Sequence, residues 1–329
     1  MSDLALVTGA NGFVGSHLVD RLLEKGMRVR VLVRKSSDMK WLAGKDIEIN
    51  NGGLFNRDEL KNALEGVSYI FHVAGTVKSK KPEGYFKTNV EATKNLLDAA
   101  LEYKDNIKKV VVVGSQTSAG PSPAGKVVNE NDTPSPITTY GRSKLEQEKL
   151  TLTYADKLPV TVCRSPAVYG ERDTEVFIFF KTYASGLFTT IGFDKKRLSL
   201  IHVSDLVEGL YLAGVTPASS GQVYFISSEE LYTWEQIGDL TGKALGKKAI
   251  HLAIPHFIVY TVAAIAQFFS MFSSKAATLN LEKARDIVQP AWTCDTSKAV
   301  KQLGYKQQVS IEEGIKRTIE WSRKQGWLK

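Results

Sequence analysis

The chain has 329 residues, with 43 Lys and Arg against 35 Asp and Glu, a formal charge of +8, and 43% hydrophobic residues. Such a length allows one large domain or two modest ones, and such a composition excludes wholesale disorder. The two cysteines, Cys163 and Cys294, form no Cys-x-x-Cys pair, which excludes a disulfide framework and a cysteine-rich zinc site. The five histidines include no His-Glu-x-x-His pair, so no metal site is expected. The positive charge suits a phosphate-rich ligand, an anionic membrane or nucleic acid. Basic residues occur only in short clusters such as Lys78-Ser-Lys-Lys81 and Lys195-Lys-Arg197, so no nucleic-acid partner is expected. Met1-Ser-Asp leads into an apolar run with no basic n-region and no cleavage site, and a cytoplasmic location is the expectation.

Strand-like and helix-like patterns alternate through the first 170 residues. Leu4–Thr8 is a short apolar run that ends on glycines, and Phe13–Glu24 carries Val14, Leu18, Leu22 and Leu23 at helical spacing up to Gly26. Further strands are expected at Arg28–Val33, Ile47–Ile49, Tyr69–Val73, Val110–Val113 and Val160–Cys163. Helices are expected at Arg57–Leu64, Thr88–Glu102 and Tyr140–Tyr154. Short apolar strands between helices predict an α/β fold, a doubly wound parallel sheet covered on both faces. Beyond Gly170 the alternation breaks down. Val176–Gly186 is helix-like, Leu198–Val203 strand-like, Ser204-Asp205 starts a helix, and the chain from about Glu229 is mostly helical in pattern. The expected division is a cofactor-binding Rossmann domain at 1–170, with 198–228 returning to it. A smaller, mostly helical substrate-binding domain takes 171–197 and 229–329.

Gly9-Ala-Asn11-Gly12-Phe13-Val14-Gly15 joins the first strand to the first helix. Glycine permits the tight turn and lets the backbone approach a pyrophosphate, and the helix N-terminus offers free N–H groups to the anion. The spacing is Gly-x-x-Gly-x-x-Gly, with no following Gly-Lys-Ser/Thr, so this reads as a dinucleotide turn and not a Walker A loop. Arg34-Lys35 ends the second strand, where an acidic residue would bind a ribose 2′-hydroxyl and an arginine accommodates a 2′-phosphate. NADP(H) is therefore expected over NAD(H).

Tyr140-Gly-Arg-Ser-Lys144 sets a tyrosine and a lysine on one helix face. A free phenol titrates near 10, and a nearby ammonium lowers that value, so the spacing predicts an acidified phenol able to exchange protons with a substrate oxygen. The pair follows the Val110–Val113 strand and Ser115, at the sheet edge where open α/β folds bind ligands.

These residues resemble the extended branch of the short-chain dehydrogenase/reductase superfamily, the NAD-dependent epimerase/dehydratase family, over nearly the whole chain. The resemblance rests on the glycine turn, His72-Val-Ala-Gly75, Asn89-Val-Glu-Ala-Thr93, Ser115, Tyr140-x-x-x-Lys144, Arg164-Ser-Pro-Ala-Val-Tyr-Gly170, Ile201-His-Val-Ser-Asp205 and the tail Trp292–Trp321. It implies that Tyr140 is the general acid/base, that Lys144 binds the nicotinamide ribose and lowers the Tyr140 pKa, and that Ser115 holds the substrate oxygen, with Thr117 and Ser118 as competing hydroxyls. It further implies that Val73, Ala74 and Gly75 line the cofactor with their backbone, that Asn89 lies beneath it, and that Leu54, Pro166 and Val168 border it. His202 and Asp205 read as structural. Asn51-Gly-Gly53-Leu54 lacks the carboxylate that relatives use to read adenine, and Ser165-Pro166 stands where sugar-nucleotide epimerases carry Phe-Asn. The pattern is closer to hydroxysteroid dehydrogenase-like and dihydroflavonol reductase-like members.

Ile254–Phe272 is the most apolar stretch. A buried or substrate-covering helix is the leading expectation, with a lipid-facing helix and a membrane span as alternatives. Taken together, the sequence predicts an oxidoreductase that interconverts an apolar ketone and a secondary alcohol. A nucleotide-sugar epimerase/dehydratase and a non-catalytic nucleotide sensor are the rivals. The resemblance also implies a homodimer built on the helices at 88–102 and 140–154.

Overall fold

The computed structural model describes residues 3–123, 125–272 and 279–328; Met1 and Ser2, on which the location reading draws, lie outside the described residues. The first half of the chain lays down β1 (Leu4–Thr8), α1 (Phe13–Glu24), β2 (Arg28–Val33), β3 (Glu48–Asn51), α2 (Arg57–Leu64) and β4 (Tyr69–His72). Then come α3 (Pro82–Phe86), a wide π-helical turn at Lys87–Glu91, α4 (Ala92–Leu101), β5 (Lys109–Ser115), α5 (Thr139–Leu152) and β6 (Val160–Ser165). Each strand is short and apolar because it is buried on both faces, as in β1, where all five residues are buried.

Past β6 the chain forms β7 (Ala167–Tyr169), α6 (Phe177–Ala184), β8 (Leu187–Ile191), β9 (Arg197–Leu198), β10 (Leu200–His202) and α7 (Val203–Val215). It then returns with β11 (Gln222–Phe225). One seven-stranded sheet results, in the order β11-β6-β5-β4-β1-β2-β3, with every pairing parallel. This is the doubly wound sheet the alternation predicts. Leu18 and Leu22 of α1 pack with Leu206 and Leu210 of α7 on one face; Leu60 and Leu64 of α2 pack with Leu96 and Leu97 of α4 on the other.

The C-terminal third is mostly helical: β12 (Tyr232–Thr233), α8 (Trp234–Leu245), β13 (Ile250–Ile254), α9 (His256–Ser270), α10 (Leu281–Ile287), β14 (Ala291–Trp292), α11 (Ser297–Leu303) and α12 (Ile311–Lys324). Phe177 and Phe180 of α6, Ile237 of α8 and Ile315 of α12 share a separate core there.

Three expectations shift. The helix expected over 88–102 is two pieces, the π turn and α4, and α3 runs directly into the π turn from before residue 88. The strand expected at 198–203 splits, because Leu198 belongs to β9 beside β14 whereas β10 pairs with β7. Ser199, between them, turns its hydroxyl to the Cys294 amide at 3.0 Å. The apolar helix α9 is not buried: within it only Val259 and Ala263 are.

Candidate active site

The C-terminal ends of β1, β2, β4, β5 and β6 lie side by side, because these strands are parallel neighbours. At the end of β1, Gly9 adopts φ +69°, and a Cβ there would lie 2.7 Å from the Ala74 amide. A Cβ on Gly15 would overlap the Gly9 carbonyl, so α1 rests directly on the turn. Gly12 is the N-cap of α1, no side chain caps it, and no acidic residue occupies the first turn. Asn11, Phe13 and Val14 are half-buried around this positive helix end. An uncapped N-terminus over a glycine cradle fits a dinucleotide pyrophosphate.

Beside it, the Val73 amide donates to the Thr8 carbonyl at 3.3 Å and the Ala74 amide to Thr8 Oγ1 at 3.2 Å, which draws Val73, Ala74 and Gly75 alongside the glycine turn. Arg34 and Lys35 are exposed just past β2 and form no ion pair among the described residues. Leu54 accepts a bond from Asn95 through its carbonyl at 3.0 Å. The sequence shows no carboxylate at residues 51–54, but the fold supplies one from α2. Glu59 accepts from the Gly53 amide at 2.7 Å. The signal was present in Asn56-x-x-Glu59, an N-cap followed three residues on by an acid. Here the acid reaches past its own helix.

Ser115 ends β5 opposite Ser165 of β6, and Pro166 and Val168 follow on that side. The hydroxyl of Thr117 donates to Ser115 Oγ at 2.9 Å, whereas Ser118 is buried and donates to the Ser115 carbonyl at 2.8 Å. Thr117 thus supports Ser115, and Ser118 faces away. Helix α5 begins at Thr139, with Thr138 as N-cap accepting from the Gly141 amide at 3.0 Å. Gly141 is required by close packing: a Cβ there would lie 2.5 Å from the Thr117 carbonyl. That contact brings Tyr140 beside Ser115, whose hydroxyl favours the ionised phenol. The Tyr85 ring packs against Tyr140 with centroids 6.2 Å apart.

The electrostatics correct one expectation. Burial pushes the Tyr140 phenol up to about 12; the nearby Ser115 hydroxyl works against this, while Tyr85 and Asp286 add to it. Lys144 does not acidify the phenol as i,i+4 spacing predicted, because its Nζ turns inward, donating to the Val113 carbonyl at 2.7 Å and to the Gln147 side chain. Burial lowers the Lys144 ammonium to about 7, against a smaller upward pull from Glu148. Gln147 in turn donates to Thr93 at 2.8 Å, Thr93 contacts His72 at 2.9 Å, and His72 contacts Thr8 at 2.7 Å. This buried polar chain, which the sequence reading missed, ties Lys144 to the strand beneath the glycine turn. Asn89, in the π turn, is fully buried. Its amide group contacts the Thr76 amide at 2.8 Å and Ser143 Oγ at 2.9 Å, so it braces loop against helix. His202 caps α7, and Asp205 accepts from the Gln308 and Val309 amides; both are structural.

A parallel doubly wound sheet, an uncapped glycine turn and a Ser–Tyr pair at the strand ends define an NAD(P)-dependent oxidoreductase of the extended short-chain type. The chain belongs to the NAD dependent epimerase/dehydratase family, whose model matches residues 5–227. It is 27% identical over 322 residues to a ceramide reductase of Caulobacter vibrioides, covering 98% of this chain and 95% of that protein. It is 28% identical over 348 residues to a putative dihydroflavonol 4-reductase of Synechocystis, covering 100% and 97%. A solved UDP-glucose 4-epimerase from Thermotoga maritima superposes with a TM-score of 0.80 at 24% identity, covering 98% and 99%, and shares the fold.

Proposed function

We propose that the chain interconverts an apolar ketone and the corresponding secondary alcohol, using NADP(H) in preference to NAD(H). The observation that carries this reading is the placement of Tyr140, at the start of α5, beside Ser115 at the end of β5, next to the uncapped glycine turn. A bound nicotinamide supplies the hydride exchange at the carbonyl carbon. Ser115 orients the substrate oxygen. Tyr140, neutral at physiological pH, holds the proton which that oxygen gains on reduction and loses on oxidation. Asn89 and Ser143 fix the backbone behind Tyr140. Free, exposed Arg34 supports the preference for a 2′-phosphate.

We assign residues 1–170 with 198–228 to cofactor binding and 171–197 with 229–329 to substrate binding. The reading includes a cytoplasmic site of action, a lipid-like substrate and a homodimer formed through α4 and α5. Pro82, Phe86, Val90 and Leu150 line an apolar cleft on that face, which supports the dimer. The test is turnover of a panel of apolar ketones with NADPH. An epimerase returns its cofactor to the starting oxidation state, so net NADPH consumption supports the reductase. UDP-sugar interconversion without net consumption would replace it.

A further inference from the structure

We propose that helix α9 and its flanking cations form a docking surface for an anionic lipid bilayer, from whose interface the substrate enters. The substrate half rests on the ketone-reductase reading; the docking does not.

From Pro255 to Phe272 there is no Asp, Glu, Lys or Arg. A helix in water normally presents a polar face. This one is held by a narrow inner stripe, Val259 and Ala263, and exposes mostly apolar side chains elsewhere, interrupted by Thr261 and Gln267. Phe257 is 70% exposed, Phe269 66% and Phe272 77%. A contiguous apolar ridge of this kind marks an interaction site. It cannot span a membrane: 15 residues rise only about 22 Å, against a hydrocarbon core of about 30 Å. No described helix is long and apolar enough to cross. Its geometry fits a helix lying in the interface plane.

The rim selects the partner. Phe193, 81% exposed, sits in the β8–β9 loop, which leans on the start of α9 through Asp194 and His256 at 3.8 Å. Lys195 follows it, and Lys247 and Lys248 precede β13, the strand that feeds α9. All three lysines are exposed and form no ion pair among the described residues. Cations beside an apolar ridge match an anionic headgroup layer. A second copy would bring the same cations against themselves, because a two-fold contact sets like patch on like patch.

The surface also connects to the chemistry. Ala263 of α9 packs on Ala284 of α10, and Gln267 accepts from the Leu281 amide at 3.1 Å. On α10, Glu282 accepts from the Thr139 amide at 3.0 Å, and Thr139 immediately precedes Tyr140. One short helix therefore separates the apolar ridge from the first turn of the catalytic helix, a direct route for an apolar substrate.

The test is flotation of the full chain with vesicles of phosphatidylcholine alone or with phosphatidylglycerol added. The expected result is binding to the anionic vesicles, released by high salt. In the double variant Phe268→Asp/Phe269→Asp, and separately in Lys247→Glu/Lys248→Glu, the bound fraction should fall about tenfold. Retained NADPH binding verifies that each variant is folded. Absence of wild-type flotation, or unchanged flotation of both variants, overturns the proposal. So does a lipid-free oligomer in light scattering that Phe268→Asp/Phe269→Asp dissolves, which would assign the ridge to a second copy. Flotation as expected without turnover of any ketone would leave the docking standing and remove the reductase reading.

Discussion

The ammonium of Lys144 lies 2.7 Å from the carbonyl oxygen of Val113, two residues before Ser115 on the same strand. The cation is therefore seated against the sheet edge, one helical turn from the phenol it was expected to acidify. At 5% exposure this position costs the charged form much of its hydration.

That burial has a signature in stability. The Lys144 pKa is about 7 in the folded chain, against about 10.4 unfolded. Between those values the unfolded state binds more protons, so stability rises with pH, at up to about 1.4 kcal/mol per pH unit from this group. Below pH 7 the penalty is fully present. Lys109, also lowered by burial, to about 8, contributes in the same direction. Urea unfolding at pH 7, 8 and 9 should show a shallower rise in Lys144→Met than in wild type; parallel curves would refute the assignment.

Tyr140→Phe removes the proton and keeps the ring. The rate should fall on the order of 10²–10⁴, with NADPH affinity unchanged. Because burial holds the phenol near 12, wild-type ketone reduction should show no loss assignable to Tyr140 ionisation up to pH 10. Full activity in the variant would refute the role.

Arg34→Ala tests cofactor choice. Loss of a charge-assisted phosphate contact should raise the KM for NADPH roughly tenfold or more, with little change for NADH. An unchanged ratio of the two constants would leave Arg34 a solvent residue.

Gly141→Ala places a methyl carbon 2.5 Å from the Thr117 carbonyl and must push α5 away from the Ser115 turn. Misplacement of about 1 Å costs on the order of 10² in rate, so kcat should fall by that order while cofactor binding at the glycine turn, which is built on β1 and α1, is retained. Equal loss of cofactor binding would mean general unfolding instead.

Arg164 and Glu148 form a buried ion pair, with contacts of 2.8 and 2.6 Å, and Phe225 lies 5.1 Å from the guanidinium. Glu148→Ala strands that cation and should destabilise the fold by about 3–5 kcal/mol. Glu148→Leu combined with Arg164→Met should recover most of the loss; denaturant midpoints of the single and double variants decide it.

The fold was largely legible. Buried parallel strands announce themselves as apolar runs, and Gly9, Gly12 and Gly15 fill positions where a Cβ would crowd the backbone. The Tyr140–Ser115 neighbourhood was also readable from order along the sheet. What stayed hidden was side-chain direction. An i,i+4 spacing places Tyr140 and Lys144 on one face, but it does not reveal that Val113 and Gln147 draw the ammonium inward. Glu59 was overlooked because it reaches Gly53 from the following helix. The break at Ser199 follows from a distant partner, Cys294, that no local pattern encodes. Likewise, exposure of α9 depends on how little of the chain packs against it, not on its hydropathy.

The wide turn at Lys87–Glu91 has a consequence for how tolerant this chain can be to change in length. A π turn holds one residue more than a regular α-turn, and each residue rotates a helix by about 100°. Deleting Val90 or Glu91 would let the segment relax into an unbroken helix, swinging Asn89 and Thr93 out of phase with each other. Either Ser143 would lose its brace or His72 its partner, so a shortening that looks harmless as a surface indel would be read by the protein as a lesion at its centre.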